Sequence, residues 1–559
     1  MKVYEAVAQA LVAEGCGPIF GLMGDGNLSL WGALGRDERV QIYSARNEAG
    51  AVAMADGYHR ATGKVGICTI TQGPGLTQTG TSLVAAARNR SAVVIVTGDV
   101  PAGEKNRLQS MDQRRFVEAC SARYHLAQRA DSLAEDIAEA FYAAQMHRAP
   151  VVLAIPMDLS EKTMEWDFDY RASGEFVPSR IESASEAALA PIAEALARAQ
   201  RPVIIAGRGA RVSGARDGII RLAERVGALL GTSLQNKGYF AGQEYDIGVA
   251  GAYASAAGEK LFADADFVLG IGAELGYYTS EGGLLFPQAE VARIDVAHGP
   301  EEIGILPGLY ARGDARASIA ALDSMLEQRQ VRQSGFRTAE ALAVLNAAPA
   351  EFPKPDDGLD PRRLMQVASR NLPNDVLVTC GIAHFAGFPA MYLELPAKAE
   401  MHFSLAFGGI GQTLPVSIGR TVGSPGRPHL VIEGDGSLFM NLQELETAAR
   451  HRIPIVVLVW NDGGLGAEVH KLRKKGFNPA LAQWNSPDYV GLARALGGDG
   501  VVLESEDALA DALAAGFRAG TLFVIDARVS PTTLSDSYGK IHFGQDNQAP
   551  RLGLAKELV

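Results

Sequence analysis

Gly434-Asp435-Gly436-Ser437 is an acidic turn flanked by glycines, and Asn461-Asp462-Gly463-Gly464 is a second polar turn further along the chain. Each directly follows an apolar run, 428–433 and 455–460, with the length of a buried strand. A helix is predicted over 441–450, and its N-terminus would face the first turn. A strand, a glycine turn, a helix and another strand indicate an open α/β sheet, which binds ligands at the carboxyl ends of its strands.

The two turns carry carboxylates that suit a metal ion beside a phosphate. Glycine lets the backbone approach a phosphate closely, and a helix N-terminus attracts anions. Asp435 and Asp462 would lie at the same edge of the sheet as hard oxygen ligands. Mg²⁺ fits them because it takes few protein oxygens and completes its shell with phosphates and water. The alternative is that Gly-Asp-Gly forms only a turn, as most such tripeptides do.

The pair of turns resembles the diphosphate and Mg²⁺ motif of thiamine diphosphate (ThDP) enzymes, in which Gly-Asp-Gly is followed by Asn-Asn. Asp462 stands where that family has its second Asn, so the site carries one more negative charge. The resemblance implies Asp435, Asp462 and the backbone carbonyl of Gly464 as the metal ligands. It also implies coenzyme contacts from the two turns: Gly434, Asp435, Gly436, Ser437, Asp462, Gly464, Leu465 and Gly466.

Length and composition argue against several other classes of protein. A chain of 559 residues is expected to form about three domains, and 47% hydrophobic with 21% charged residues is ordinary for a soluble globular protein. A net charge of −12 argues against a nucleic-acid partner. No apolar run has the roughly 20 residues that a membrane span needs. The four cysteines lack metal-ligand spacing, and we expect them to be reduced in a cytoplasmic protein.

Short apolar strands alternate with helical segments along the chain, which predicts three α/β domains, each a doubly wound parallel sheet. We expect an N-terminal domain over 1–165, a central Rossmann-like domain over 186–330, a C-terminal domain over 359–535 and a tail over 536–559. In ThDP enzymes the corresponding order is a pyrimidine-binding, a central and a diphosphate-binding domain, and the resemblance covers nearly the whole chain.

Glu48 opens a predicted helix that continues with almost uncharged residues, so its carboxylate is expected to be buried, which is costly without a partner. The alternative is an exposed acid at a helix N-terminus, which the helix dipole favours. Glu48 and the loop 71–75, which contains Gly73, resemble the catalytic segment of the acetolactate synthase, benzaldehyde lyase and 2-oxo-acid decarboxylase branch of ThDP enzymes. The resemblance implies that Glu48 hydrogen-bonds the aminopyrimidine ring and so promotes loss of the thiazolium C2 proton.

Two further segments resemble coenzyme-binding parts of that branch. Gly408-Gly409-Ile410-Gly411 resembles the segment whose bulky side chain, here Ile410, wedges the two coenzyme rings together; an ordinary core isoleucine is the alternative. The other segment resembles the second diphosphate loop, and His384 within it is expected either to bond phosphate or to cap the local turn. The coenzyme contacts implied by these two segments are Gly381, Ile382, Ala383, His384, Gly408 and Ile410.

The residues that would meet the substrate resemble two different activities. Asp25, within 20–30, and Glu468 resemble the pyruvate decarboxylases, in which two carboxylates protonate the carbanion and an aldehyde is released. The adjacent His-His pair of those enzymes is absent, and Gln109 within 106–113 instead resembles acetolactate synthase and benzaldehyde lyase. Without the proton relay that this His-His pair provides, a carbanion would persist long enough to attack a second carbonyl. The alternatives are a turn residue at Asp25 and an exposed surface acid at Glu468.

The expected function is that of an acetolactate-synthase-like ThDP enzyme, which acts on a 2-oxo acid or an acyloin and joins the acyl carbanion to an aldehyde or ketone. A 2-oxo-acid decarboxylase that releases aldehyde is the alternative. An NAD-dependent oxidoreductase is disfavoured because no convincing dinucleotide fingerprint is present. A non-catalytic diphosphate-binding module is a further class, and it would not need a buried Glu48 beside the coenzyme.

The resemblance also has consequences for FAD and for assembly. Acetolactate synthases hold FAD largely on the central domain, but Glu274 stands where they have an arginine, and a carboxylate would repel the flavin diphosphate. FAD is therefore expected to be absent. The coenzyme of the family lies between two chains, which implies a homodimer or homotetramer with Glu48 from one chain and Asp435 from its partner.

Overall fold

The computed structural model describes residues 1–15, 17–101, 104, 107–177, 182–297, 307–347 and 352–543. Cys16, Asn106 and the end of the tail lie outside this part of the chain. Within it, three sheets each contain six strands, and all the strand pairs in them are parallel. The predicted fold class, three parallel-sheet α/β domains, is confirmed.

The first sheet lies in the N-terminal part of the chain. Its strands are β1 (Pro18–Gly21), β2 (Gln41–Ser44), β3 (Gly66–Ile70), β4 (Val93–Asp99), β5 (Arg123–Leu126) and β6 (Pro150–Pro156). The helices of this part are α1 (Val3–Ala13), α2 (Leu28–Leu34), α3 (Glu48–Thr62), α4 (Pro74–Gln78), α5 (Gly80–Arg88), α6 (Gln113–Ala119), α7 (Leu133–His147) and α8 (Met157–Ser160). The strand order across the sheet is β2-β1-β3-β4-β6-β5.

The second sheet lies in the middle of the chain. Its strands are β7 (Pro202–Ala206), β8 (Leu229–Thr232), β9 (Asp246–Val249), β10 (Phe267–Ile271), β11 (Glu290–Asp295) and β12 (Leu309–Arg312). The helices around it are α9 (Glu186–Arg198), α10 (Arg208–Val212), α11 (Arg216–Val226), α12 (Ala256–Ala263), α13 (Tyr277–Ser280), α14 (Ala315–Gln328) and α15 (Ala339–Leu345). The order β12-β11-β10-β7-β8-β9 is that of a Rossmann sheet.

The third sheet lies in the C-terminal part of the chain. Its strands are β13 (Leu377–Cys380), β14 (Glu400–Phe403), β15 (His429–Gly434), β16 (Val456–Asn461), β17 (Asp499–Val502) and β18 (Phe523–Arg528). The helices are α16 (Pro361–Asn371), α17 (Gly387–Tyr392), α18 (Thr413–Gly423), α19 (Asp435–Phe439), α20 (Glu444–Arg450), α21 (Gly466–Lys474), α22 (Tyr489–Ala495), α23 (Leu509–Arg518) and α24 (Asp536–Phe543). Its strand order is β14-β13-β15-β16-β18-β17.

The first and third sheets have the same strand order and therefore the same kind of crevice. In each sheet the order reverses after the second strand, between β1 and β3 in the first and between β13 and β15 in the third. Ligands of open α/β sheets bind at the carboxyl ends of the strands at such a reversal. β15 ends at Gly434, so the crevice of the third sheet opens beside the predicted metal and diphosphate residues.

Helices α3 and α18 join the first and third domains within one chain. A Cβ at Gly57 of α3 would lie 2.0 Å from the carbonyl oxygen of Val416, and a Cβ at Gly419 of α18 would lie 1.8 Å from that of Met54. The two helix backbones therefore touch, which only glycine permits at these positions. This contact also fixes the start of α3, where Glu48 lies, relative to the C-terminal domain.

The predicted helix over 441–450 is wrong at its beginning. A five-residue helix, α19, starts at Asp435 itself, and α20 starts only at Glu444. Asn441 lies between them, where its Nδ2 donates a hydrogen bond to the Gly411 carbonyl oxygen at 2.6 Å. The helix N-terminus at the first turn is therefore that of α19. In the described part of the chain, no helix has both the length and the apolar composition to cross a membrane.

Candidate active site

β15 and β16 place Asp435 and Asp462 at neighbouring strand ends. Asp435 is 1% exposed; its Oδ1 accepts the Gly436 amide hydrogen at 2.8 Å, and its Oδ2 has no hydrogen-bond partner among the described residues. Burial, together with the charge of Asp462, raises the pKa of Asp435 to about 8. Burial raises the pKa of Asp462 to about 7. Two buried carboxylates repel each other when both are charged, and a divalent cation bound between them would offset that repulsion.

These donors fit Mg²⁺ better than a metal held entirely by side chains. Among the described residues, no three His, Cys, Asp or Glu side chains lie close enough together to hold a metal ion. A cation bound by Asp435 and Asp462 would therefore need backbone carbonyl oxygens, such as that of Gly464, with phosphate oxygens and water. That mixture is typical of Mg²⁺ sites in proteins.

The backbone around the two carboxylates suits a phosphate group. Helix α21 begins at Gly466, and no side chain caps its N-terminus, so its first amides are available to an anion. A Cβ at Gly466 would lie 2.2 Å from Asp462 Oδ2, and a Cβ at Gly436 would lie 2.8 Å from the ring of Trp484. Any larger residue would displace the carboxylate or the indole, so both glycines keep the turn accessible.

His384 is bound through one ring nitrogen, and its other ring nitrogen has no hydrogen-bond partner among the described residues. Its Nε2 accepts the Ser535 amide hydrogen at 2.9 Å, which ties the loop to the beginning of the tail. Burial, together with the neighbouring His470, lowers the pKa of His384 to about 3, so the ring is neutral and its hydrogen is on Nδ1. That Nδ1 has no partner among the described residues and lies 3.6 Å from where a Cβ of Gly466 would be. His384 therefore directs a hydrogen-bond donor at the turn where α21 begins.

A cavity of about 2170 Å³ brings most of the C-terminal candidates together. Its lining includes Ile382, Ala383, His384, Gly408, Ile410, Gly434, Asp435, Gly436, Ser437, Asp462, Gly464, Leu465, Gly466 and Glu468. Ile410 is only partly buried and faces this cavity, which favours the wedge over the core isoleucine. Gly381 does not line the cavity; a Cβ there would lie 2.7 Å from Glu433 Oε1, so it accommodates that buried side chain.

The N-terminal candidates form a second group on the first domain. Glu48 is the first residue of α3, after the N-cap Asn47, and it is partly buried. Burial raises the pKa of Glu48, which shifts its carboxyl group toward the neutral, protonated form. A Cβ at Gly75 would lie 3.1 Å from Glu48 Oε1, so the glycine-rich loop 71–75 packs directly against the acid.

Gln109 and Gly73 lie at the other side of the same loop. Gln72 Nε2 donates a hydrogen bond to Gln109 Oε1 at 2.7 Å. Gly73 has φ +61°, and a Cβ there would lie 2.5 Å from the Gln109 carbonyl oxygen, so glycine is required. Asp25 is exposed on a short 3₁₀ turn, which joins the group through the hydrogen bond from the Gly26 amide to Thr71 Oγ1 at 3.1 Å.

Among the described residues, the two groups do not share the C-terminal cavity. Glu48, Gly73, Asp25 and Gln109 are absent from the residues that line the C-terminal cavity. Glu468 lines it, half exposed, with Lys471 Nζ 3.6 Å from its Oε1. The structure therefore presents two half-sites, one at the carboxyl end of each of the two similar sheets.

The order of domains identifies the family. The chain matches family models described as thiamine pyrophosphate enzyme, N-terminal TPP binding domain, over residues 1–119, central domain over 189–322, and C-terminal TPP binding domain over 382–527. The chain belongs to the thiamine pyrophosphate (ThDP) enzyme family. Both half-sites of this ThDP enzyme lie in the two parts that match coenzyme-binding domains.

The relatives of this chain differ in the reaction that their names state. This ThDP enzyme is 30% identical to a probable 2-ketoarginine decarboxylase of Pseudomonas aeruginosa, over 94% of this chain and 93% of the relative. It is 28% identical to the acetolactate synthase large subunit of Parasynechococcus marenigrum, over 94% and 87%. It is 27% identical to a sulfoacetaldehyde acetyltransferase of Castellaniella defragrans, over 92% and 90%. Similarity over the full length thus supports the family and the coenzyme, but it leaves the substrate open.

Some residues of the ThDP site did not follow from the sequence. Trp484 covers Gly436 from a loop, and Ser535 and Tyr538 reach the cavity region from the start of the tail. No local pattern marks them, because the long connections that bring them there have no regular period. Glu433 is different: a charged residue at the end of an apolar strand was a visible signal, and its carboxylate is fully buried beside Gly381.

The surroundings of Glu274 oppose FAD less strongly than the charge of this residue alone. The same cavity extends to the central domain, where Arg208, Arg211 and Glu274 line it. Glu274 lies 3.4 Å from Arg90 in an ion pair, so its charge is partly compensated and the arginines would attract a diphosphate. The expected absence of FAD stays a prediction, and its test is the flavin fluorescence of the purified ThDP enzyme.

Proposed function

We propose that this ThDP enzyme requires Mg²⁺, decarboxylates a 2-oxo acid or cleaves an acyloin, and joins the acyl carbanion to an aldehyde or ketone. The observation that supports ligation best is the Gln72–Gln109 pair, hydrogen-bonded at 2.7 Å, on the loop that packs against Glu48. Amide side chains orient a substrate carbonyl by hydrogen bonds, yet they have no acidic proton to give to a carbanion. A carbanion beside them would persist until a second carbonyl arrives.

The chain supplies distinct groups for holding and activating the coenzyme. Asp435, Asp462 and the Gly464 carbonyl would hold Mg²⁺, while His384 Nδ1 and the first amides of α21 would bind the diphosphate. Bound ThDP supplies an electron sink for the electron pair released when the substrate's carbon–carbon bond breaks. Glu48 would donate a hydrogen bond from its carboxyl group to the ring nitrogen of the coenzyme, and its burial-raised pKa favours the protonated form that this needs.

A decarboxylase that releases aldehyde is the second candidate. It is favoured by the 30% identity to a probable 2-ketoarginine decarboxylase and by Glu468, which lines the cavity. A carboxyl group at that place would protonate the carbanion before an acceptor binds. The two candidates differ in the fate of one intermediate, so product analysis separates them.

The separation of the half-sites supports an assembly of at least two chains. We place Glu48 of one chain opposite Asp435 of its partner in a homodimer or homotetramer. Contiguous exposed apolar surface is typical of protein interfaces. Large apolar side chains are exposed on segments next to both half-sites: Met23, Leu28, Leu108, Phe407, Phe439 and Met440.

The first experiment gives the protein ThDP and Mg²⁺ with pyruvate, benzoylformate or benzoin, each with and without an added aldehyde. Acyloin formation would support the ligase, and free aldehyde alone would support the decarboxylase. In parallel, hydrogen–deuterium exchange at C2 of bound ThDP reports coenzyme activation without any substrate. A parent protein that exchanges C2 no faster than free ThDP would refute the catalytic function altogether.

Glu48→Gln tests the assigned acid. We expect C2 exchange and turnover to fall by about 100-fold to 10,000-fold, the usual contribution of acid–base catalysis, while ThDP still binds. Glu186→Gln is the matched control, because Glu186 also opens a helix, α9, but lies exposed on the central domain. If Glu48→Gln exchanged C2 as fast as the parent, Glu48 would not be the acid.

A further inference from the structure

Helix α20 of the C-terminal domain holds the segment that leads into Glu48. We call the side chains of Glu444, Glu446 and Arg450 on this helix the α20 clamp. They contact residues 44–46, which are about 400 positions away in sequence, within the same chain. The clamp is therefore a contact between two domains that ends two residues before the proposed catalytic acid.

Glu444 forms the buried part of the clamp. Its side chain is fully buried, and the Arg46 amide lies 3.2 Å from Oε1 and 3.4 Å from Oε2. Thr447 Oγ1 donates a hydrogen bond to Oε2 at 2.7 Å, which fixes the carboxylate orientation. The carboxylate thus lies at the N-terminus of α3, where the backbone amides have no partner within the helix and the helix dipole is positive.

Gly50 makes this approach possible. A Cβ at Gly50 would lie 2.5 Å from Glu444 Oε1, so any other residue would push the carboxylate away from the first turn of α3. The helix already has its own cap, because Asn47 Oδ1 accepts the Ala49 amide hydrogen at 2.8 Å. Glu444 is therefore not needed to cap α3, and its distinct effect is to fix the helix start against the other domain.

The outer part of the clamp is exposed and contributes less. Arg46 Nε and Nη2 donate to Glu446 at 2.5 and 2.7 Å, and Arg450 Nη2 donates to the Ser44 carbonyl oxygen at 2.5 Å. Ion pairs in contact with solvent hold their partners only weakly. A buried carboxylate that has lost water must keep its few partners in place, so Glu444 determines the geometry.

We propose that Glu444 is a positioning residue that holds the first turn of α3, and with it the carboxyl group of Glu48, where the acid acts on the coenzyme. The proposal rests on the proposed function of Glu48 and extends it to a second acid on another domain. Glu444 itself does not line the C-terminal cavity. Its loss would impair activation of ThDP and leave coenzyme binding nearly unchanged.

Glu444→Gln is the direct test, since glutamine has the same shape without the charge. The holoenzyme with ThDP and Mg²⁺ is followed by C2 hydrogen–deuterium exchange and by the Kd for ThDP. We expect exchange to slow by roughly tenfold to a hundredfold, because displacing a catalytic group by about 1 Å costs about 100-fold. The Kd should change by less than about threefold, a split that general destabilisation would not give.

Glu506→Gln is the matched control for a buried glutamate. Glu506 is 4% exposed and accepts the Asp360 amide hydrogen at 2.8 Å, just before α16, in the same domain. It should leave C2 exchange at the parent rate. Parent-like exchange in Glu444→Gln, with rapid exchange in the parent, would overturn this proposal alone. Slow exchange in the parent itself would overturn the proposed function, and this proposal with it.

A second pair of variants covers the case in which Glu444→Gln does not fold. Gly50→Ala should slow C2 exchange by displacing Glu444, and the same change in a Glu444→Ala background should add little. Contacting residues give non-additive effects, whereas independent ones add. Additive losses in this cycle would show that Gly50 and Glu444 act separately, which would contradict the clamp.

Discussion

At the scale of single residues, the chemistry of the C-terminal half-site follows from two carboxyl groups that are costly to ionise. Burial and the charge of Asp462 raise the pKa of Asp435 to about 8, and burial raises that of Asp462 to about 7. Both groups therefore carry protons over much of the range in which an exposed acid would be charged. A cation must displace those protons before the carboxylates can bind it.

The first prediction is a pH dependence of Mg²⁺ binding. Only the charged carboxylates bind, so the affinity for Mg²⁺ in the presence of ThDP should rise from about pH 6 to about pH 8, and binding should release protons. Isothermal titration calorimetry in two buffers of different ionisation enthalpy measures both quantities. A Kd that does not change over this range would contradict the assignment of Asp435 and Asp462 as the ligands.

Asp462→Asn is the control for that prediction. It removes the second titrating ligand and the repulsion that raises the pKa of Asp435. The variant should release fewer protons, and its affinity should rise at lower pH than that of the parent. At pH 8 the parent should bind Mg²⁺ more tightly, because both of its ligands are then charged.

The role of a residue in the site could be predicted from the sequence only where the features that reveal it lie close by in the chain. Asp435 and Asp462 follow apolar strands directly, so a turn, a charge and a strand end were visible together. Glu444 could not be assigned in this way, because its partner Arg46 is about 400 positions away and nothing in either segment marks the contact. The same holds for Trp484, which reaches Gly436 from a loop.

At the scale of elements, the contact of α3 with α18 leaves no room for a larger residue at Gly57 or Gly419. Gly419→Ala would place a Cβ about 1.8 Å from the Met54 carbonyl oxygen, and backbone cannot move aside as a flexible side chain does. We expect a loss of at least about 1–3 kcal/mol in the free energy of unfolding, the usual cost of overpacking. Urea denaturation followed by circular dichroism measures it.

Gly32→Ala is the matched control for helical glycines. Gly32 lies in α2, is exposed, and has nothing within 4 Å of its Cβ position. Alanine should stabilise the protein there by roughly 0.5–1 kcal/mol, because glycine loses more backbone freedom in a helix. Equal effects of the two substitutions would mean that the α3–α18 contact is looser than the structure shows.

Most central strands could be predicted from the sequence, whereas of the edge strands only β2 and β14 could be. β4 begins with four apolar residues and β15 contains the apolar run 430–432, because helices cover both faces of a parallel sheet. β5 and β17 are edge strands, mostly half-exposed or exposed, and their sequences Arg-Tyr-His-Leu and Asp-Gly-Val-Val give no such run. The interior strand β8 was missed for another reason, since only Gly227 and Ala228 separate it from α11.

At the scale of the whole molecule, the two similar sheets carry different parts of the proposed site. Their half-sites are complementary, since the N-terminal one carries the proposed acid and the C-terminal one the proposed metal ligands. Within one chain, however, the residues lining the C-terminal cavity do not include Glu48. In the proposed assembly each site combines one half from either chain, so a dimer would contain two sites.

Co-expression of two inactive variants tests this arrangement. Glu48→Gln lacks the acid and Asp435→Asn lacks a metal ligand, so an assembly of either variant alone should show almost no C2 exchange of bound ThDP. When both chains are present in equal amounts and assort at random, about a quarter of the sites combine an intact Glu48 with an intact Asp435 from different chains, whatever the number of chains in the assembly. Activity should therefore return to about a quarter of the parent value. If each site were built within one chain, every site would carry one defect and no activity would return.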